Sequence, residues 1–161
     1  MPERFAGLIL ECAAAKKWRE DHGWGTTLVF TNGCFDLMHG GHIEYLAWAR
    51  AQGDALIVGL NEDESVRRLK GPARPFVPFE ERARVLAALR SVDVVVGFAE
   101  QTPEALIEAL HPDIHVKSAQ YKVEDLPERL AVERGGGRVL LAPHIAGKST
   151  TDLIALIRSR F

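Results

Sequence analysis

Two histidines three residues apart, His39 and His42, close the stretch Thr31-Asn32-Gly33-Cys34-Phe35-Asp36-Leu37-Met38-His39-Gly40-Gly41-His42. Three chemistries fit them. They can be turn and helix-surface residues with no chemical task. They can be two metal ligands completed by Asp36 or Cys34 around an open position. Or both imidazoles can donate to phosphate oxygens as negative charge develops there, as preorganised donors do in phosphoryl or nucleotidyl transfer. No second cluster of metal-type residues follows in the chain, which weighs against the metal reading. Glycines at 33, 40 and 41 would let a ligand approach the main chain.

The flanking segments say how such a turn is held. Leu28-Val29-Phe30 is an apolar run, and Ile43 to Arg50 carries apolar residues at helical spacing, so the histidines sit at a strand-to-helix junction. Such a junction aims backbone N–H groups and the positive end of a helix dipole at an anion. A second stretch near the end of the chain has the same character: Gly147-Lys148-Ser149-Thr150-Thr151 lies between an apolar run and an amphipathic one. It invites a P-loop reading, but the required first glycine falls on Ala142, followed by Pro143, and no strand remains after residue 150 to supply a metal-binding partner. Gly135-Gly136-Gly137 follows a helix and precedes a strand, the wrong end for a dinucleotide fingerprint, and reads as a helix stop.

Between these motifs the chain alternates. Strands are expected at Thr26–Thr31, Ala55–Leu60, Val92–Phe98, Asp113–Lys117 and Arg138–Ala142. Helices are expected over residues 1–22, over the segment after the turn as far as Gly53, up to Lys70, over Phe79–Arg90, Pro103–Leu110, Leu126–Arg134 and Thr150–Arg160. Gly71 to Phe79, with prolines at 72, 75 and 78, is too proline-rich for regular structure and reads as a loop over the ligand. The alternation predicts an α/β fold, a Rossmann-like parallel sheet of about five strands with helices on both faces, in a single domain spanning 1–161. In such a sheet ligands collect beyond the carboxyl ends of the strands. There lie the turn after the first strand, Asn61 and Asp63 after the second, Lys117 after the fourth, and Ser149 and Thr150 after the fifth. Lys70 and Arg82 flank the proline loop and would add positive charge from above.

Composition narrows the class. With 47% hydrophobic and 26% charged residues the chain is ordinary for a soluble globular protein, and no unbroken apolar stretch suggests a membrane span. A net charge of −2 argues against nucleic-acid or anionic-membrane partners, which draw on a strong positive field. Two cysteines, Cys12 and Cys34, form neither a disulfide framework nor a paired metal motif, and residues 1–22 lack a signal-peptide pattern, so a reducing, cytoplasmic setting is expected.

Gly33-Cys34-Phe35-Asp36 followed by His39-Gly40-Gly41-His42 resembles the G-x-F-D…H-x-G-H signature of the cytidylyltransferase-like nucleotidyltransferases. Phe30 to Asp36 looks like the heptose 1-phosphate adenylyltransferase branch, and Gly147 to Thr151 resembles the family's closing G-x-S-T-T motif. The resemblance implies transfer of AMP from ATP to a sugar 1-phosphate with release of pyrophosphate, in the presence of Mg²⁺. His39, His42, Lys70, Ser149 and Thr150 would then be catalytic. Thr31, Asn32, Gly33, Cys34, Phe35, Gly41, Asn61, Arg82, Lys117, Gly147 and Thr151 would bind nucleotide, with Asp36, Asp63 and Gln120 towards the acceptor and Asp36 a candidate for an indirect role with Mg²⁺. It also implies a homodimer. Bifunctional relatives carry a sugar-kinase domain ahead of this one, so a kinase is expected as a separate protein. The chain departs from the branch at Ser118-Ala119-Gln120, where G-G-D is usual, and this loosens the acceptor. A cytidylyltransferase acting on glycerol 3-phosphate is the alternative, although its usual arginine before the closing motif is His144 here. A non-catalytic module that senses ATP or CTP is the third reading.

Overall fold

The computed structural model describes residues 7–22, 25–143 and 149–161. Six strands, β1 (Leu8–Leu10), β2 (Leu28–Gly33), β3 (Ala55–Asn61), β4 (Val94–Phe98), β5 (Ile114–Ser118) and β6 (Arg138–Ala142), form one sheet in the order β1-β4-β3-β2-β5-β6. Every pairing is parallel. The crossovers are α2 (Gly40–Arg50), α3 (Asp63–Lys70) with α4 (Phe79–Ala87), α5 (Glu104–Leu110) and α6 (Arg129–Arg134), while α1 (Cys12–Asp21) joins β1 to β2 and α7 (Thr150–Arg160) follows β6.

The central strands read as apolar runs because both faces are covered. Val29, Leu56, Val58, Leu60 and Val95 pack with Leu46 of α2 and Leu86 of α4. On the other face Leu28, Phe30, Ile57 and Val94 pack with Ala15 of α1, Leu106 and Leu110 of α5 and Val132 of α6. Strand order reverses at β2, whose neighbours are β3 on one side and β5 on the other, so the carboxyl ends of these three strands open a crevice at the switch point.

The parallel α/β architecture agrees with the sequence reading, with one strand more. Residues 8–10 are not part of the N-terminal helix: Leu8, Ile9 and Leu10 pair with Val94, Val95 and Val96 at the sheet edge. Gly7 makes the approach possible, since a Cβ there would stand 2.5 Å from the Val92 carbonyl oxygen. Helix α1 therefore starts only at Cys12. The triple glycine ends α6 as expected, with Gly136 at φ +83°.

Candidate active site

The site is built on the junction of β2 and α2. The turn between them carries Phe35 at φ 44°, a strained conformation for a bulky side chain, and this sets the Phe35 ring edge-on to His42 with centroids 5.5 Å apart. His39 is the N-cap of α2 and His42 its third residue. The two cap each other's turn: His39 Nδ1 accepts from the Gly41 N–H at 3.1 Å, and His42 Nδ1 accepts from the His39 N–H at 3.3 Å. A ring nitrogen that accepts carries no proton, so both imidazoles, when neutral, hold their proton on Nε2, and that Nε2–H is the atom left to give. Burial, with His39 alongside at 3.9 Å between ring centroids, pushes the His42 pKa down to about 4. His42 is thus a neutral donor at ordinary pH.

Two adjoining cavities of about 490 and 350 Å³ open here and share a wall made of Asn32, Gly33, Cys34, Phe35, His42, Lys70, Lys117, Tyr121 and Thr150. The smaller one also takes in His39, Gly41, Gln120 and Ser149, so the N-terminal ends of α2 and α7 meet there. Ser149 caps α7, its hydroxyl oxygen accepting from the Asp152 N–H at 3.0 Å, and the Thr150 hydroxyl bonds the Leu37 carbonyl of the β2–α2 turn at 3.4 Å. The larger cavity runs on past Asn61, Arg74, Asp125, Glu128 and Thr151. Gly147, His144 and Lys148 lie outside the described residues.

Several expected site residues serve the scaffold instead. Arg82 lines neither cavity. It is 1% exposed and its guanidinium donates to the carbonyls of Val77, Cys34 and Asn61 and to the Asp63 carboxylate at 2.6–2.8 Å, tying the proline loop, the phosphate turn and the end of β3 together. Asp63, which also accepts from the Phe79 N–H, is committed to that strut and is likewise outside the cavities. Thr31 is fully buried, its hydroxyl bonded to the Tyr45 hydroxyl at 2.7 Å and the Val116 carbonyl at 2.9 Å. Asp36 borders the larger cavity, but its carboxylate is taken up by the Arg74 guanidinium and the N–H groups of Phe76 and Val77. Burial alone would raise the Asp36 carboxyl, and those bonds outweigh it and hold it below its ordinary value. Three donors thus hold the carboxylate, which pins the proline loop to the turn after β2.

Among the cavity residues that no motif marks are Arg74, Asp125 and Glu128. Glu128 is 3% exposed and pairs with Lys117, Nζ to Oε1 3.3 Å, while that ammonium also donates to Asn32 Oδ1 at 3.3 Å and lies over the Tyr121 ring. Cys34 lines both cavities, yet burial pushes its thiol up, against the pull of Lys70, Arg82 and Arg74, so it stays protonated and is no nucleophile. Lys70, at the C-terminal end of α3, has no acidic partner within reach among the described residues and borders both cavities.

A parallel sheet with two helix N-termini, two capping histidines and a lysine converging at its switch point is an α/β arrangement suited to phosphate ligands. The cytidylyltransferase-like family profile matches residues 30–154, and the chain belongs to that family. It is 49% identical over 162 aligned residues, 98% of its length, to the bifunctional protein HldE of Mesorhizobium japonicum, and 48% identical over 99% of its length to HldE of Halorhodospira halophila. It spans only 32% and 33% of those relatives' own lengths. Among solved structures, the lipopolysaccharide core biosynthesis protein of Thermoplasma volcanium is similar with TM-score 0.62 and 25% identity, over 75% of this chain and 98% of that one. Pantoate-beta-alanine ligase of Francisella tularensis, at 12% identity and TM-score 0.59 over 94% of this chain and 77% of that one, shares the fold alone.

Proposed function

We propose that the chain transfers AMP from ATP to a sugar 1-phosphate of the heptose type. An oxygen of the sugar phosphate attacks the α-phosphorus, a new P–O bond forms, the α–β bridging P–O bond breaks, and pyrophosphate leaves with the electron pair. The observation that carries this reading is the shared wall. Two cavities, each large enough for one small phosphorylated ligand, meet where His42, Lys70, Lys117 and Thr150 stand. We assign the nucleotide to the smaller cavity, where both helix N-termini point, and the acceptor to the larger. The phosphate of the acceptor is ionised at neutral pH, so no base is needed to generate the nucleophile. Catalysis then rests on positioning and on donors that hold charge as it moves to the pyrophosphate. His39 and His42 supply Nε2–H groups, Lys70 a full charge, and Thr150 with the α7 amides the grip on the far side. Gly147 and Thr151 belong to that grip in the same reading.

Mg²⁺ would neutralise charge on the triphosphate and would be carried by phosphate oxygens. The residues fit that mode better than a protein cage: Asp36 is spent on the loop, and among the described residues no three His, Cys, Asp or Glu side chains gather. Ser118, Ala119 and Gln120 stand where the branch has G-G-D, which leaves the acceptor open, and CTP-dependent transfer to glycerol 3-phosphate is the second reading. Homodimer formation, a cytoplasmic location and a partner sugar kinase belong to the first reading; Leu156 and Ile157, exposed on α7, support an association surface, and no described helix is long and apolar enough to cross a membrane.

The test is pyrophosphate release from each of the four nucleoside triphosphates with Mg²⁺ against heptose 1-phosphate, other sugar 1-phosphates and glycerol 3-phosphate. Turnover with ATP and heptose 1-phosphate is expected. Turnover with CTP alone would replace the first reading by the second, and nucleotide binding without turnover on any acceptor would make the chain a sensing module.

A further inference from the structure

Behind the shared wall lies a buried histidine that none of the chemistry above uses. His115 of β5 is 0% exposed, its ring edge-on to Phe30 with centroids 5.4 Å apart. Its Nε2 stands 3.1 Å from Asn32 Oδ1 and 3.9 Å from Glu128 Oε1, and its Nδ1 has no partner among the described residues. The neighbouring ammonium settles the protons. Lys117 can only donate, so the Asn32 atom facing it is the carbonyl oxygen. A second group bonded to that same oxygen must also donate, which puts the His115 proton on Nε2 and leaves Nδ1 bare. With Oδ1 claimed from two sides, the Asn32 amide nitrogen turns the other way. No described residue accepts from it, and Asn32 borders both cavities.

We propose that His115 is a positioning residue for the nucleotide: its Nε2–H locks the Asn32 carboxamide so that the NH₂ group is presented to an oxygen of the bound ligand at the shared wall. The proposal rests on the nucleotidyl-transfer reading and deepens it. Burial, with Lys117 alongside, pushes the His115 pKa down to about 3, so the imidazole remains a neutral, single-proton donor throughout the working range. Without it the Asn32 side chain keeps, among the described residues, only Lys117 as a partner, and that ammonium is shared with Glu128. The carboxamide is then free to rotate and presents oxygen or nitrogen to the ligand. An apolar replacement also removes a buried nitrogen that has no partner among the described residues, so a merely structural His115 would be replaced by Leu with nucleotide binding unchanged.

The experiment has two arms on the intact chain. The first needs no activity: long-range ¹H–¹⁵N NMR should show His115 protonated on Nε2, bare on Nδ1 and not titrating from pH 8 to pH 5, where Lys117 and Glu128 are the charged groups facing it. The two Asn32 side-chain amide proton signals should lie away from those of an unconstrained carboxamide and move towards them in His115→Leu. The second compares binding of a non-hydrolysable ATP analogue, KM and kcat. His115→Leu should weaken nucleotide binding and raise KM about three- to tenfold, the worth of one oriented hydrogen bond, with the thermal midpoint unchanged or higher. His115→Gln, whose amide can donate from the same place, should restore binding, and Asn32→Ala should cost less in the His115→Leu background than in the parent. A proton on Nδ1, nucleotide binding as tight in His115→Leu as in the parent, or additive losses with Asn32→Ala would each overturn the proposal. A parent chain that binds no nucleotide would refute the functional reading instead, while the NMR arm still decides whether His115 holds Asn32.

Discussion

His42 carries two loads that substitution can separate. Its Nδ1 accepts the His39 N–H and so helps close the first turn of α2, and its Nε2–H is left for the ligand. His42→Ala removes both. Loss of a helix cap costs about 1 kcal/mol, which for a chain of this length lowers the melting temperature by roughly 2–4 °C. Loss of one preorganised donor to developing charge costs about 3–4 kcal/mol in the transition state, a fall in kcat on the order of 10²–10³. His42→Asn should divide these: its carboxamide oxygen still reaches the His39 N–H, so the melting temperature is kept, while the donor at the Nε2 position is gone and kcat falls as far as in the alanine variant. The assay is continuous pyrophosphate release beside thermal denaturation of the same three preparations. If His42→Asn turned over within about threefold of the parent, His42 would be a capping residue and the donor role would be refuted.

Arg82→Lys, conservative in charge, should be severe, because a lysine cannot reach three carbonyls and a carboxylate from one planar group. Breaking that buried pairing is expected to cost about 3–5 kcal/mol, roughly 10 °C in melting temperature, with nucleotide affinity at low temperature little changed because Arg82 lines neither cavity. A loss of affinity without loss of stability would contradict its role as a strut. Stability should also fall as the pH is lowered from about 6.5 to about 4. His42 and His115 are held neutral in the fold, with pKa values near 4 and 3, and the unfolded chain takes up those protons first. Denaturant midpoints measured between pH 7 and pH 4 check this. The slope should flatten in the double variant His42→Asn, His115→Leu, and an unchanged slope there would assign the acid loss to other groups.

The β2–turn–α2 unit was legible because the apolar pattern switches period across a glycine-containing junction, a change only a strand entering a helix produces. Parallel crossovers followed from the even alternation of runs. What escaped the sequence was which way side chains face at the strand ends. Thr31 and Asn32 are adjacent and equally polar, yet the two-residue repeat of a strand sends Thr31 to Tyr45 and Val116 and Asn32 to the cavity. Arg82 sits beside Glu80 and Glu81 and reads as a surface residue or a ligand contact; only the close approach of the proline loop and β2 buries it. Leu8–Leu10 is too short to show a strand period, and its identity comes from Val94–Val96 beside it. Glu128, just ahead of α6, looks like any solvated carboxylate until Lys117 is folded against it.

Direct transfer at a wall with no nucleophile is the claim on which the account stands. Incubation with α-³²P-labelled ATP, Mg²⁺ and heptose 1-phosphate tests it in one measurement. The label should pass into a nucleoside-diphosphate sugar, with equimolar unlabelled pyrophosphate and none of the label covalently attached to protein at any time. Label that stays on the denatured chain after quenching during turnover, or is released only as AMP, would contradict it.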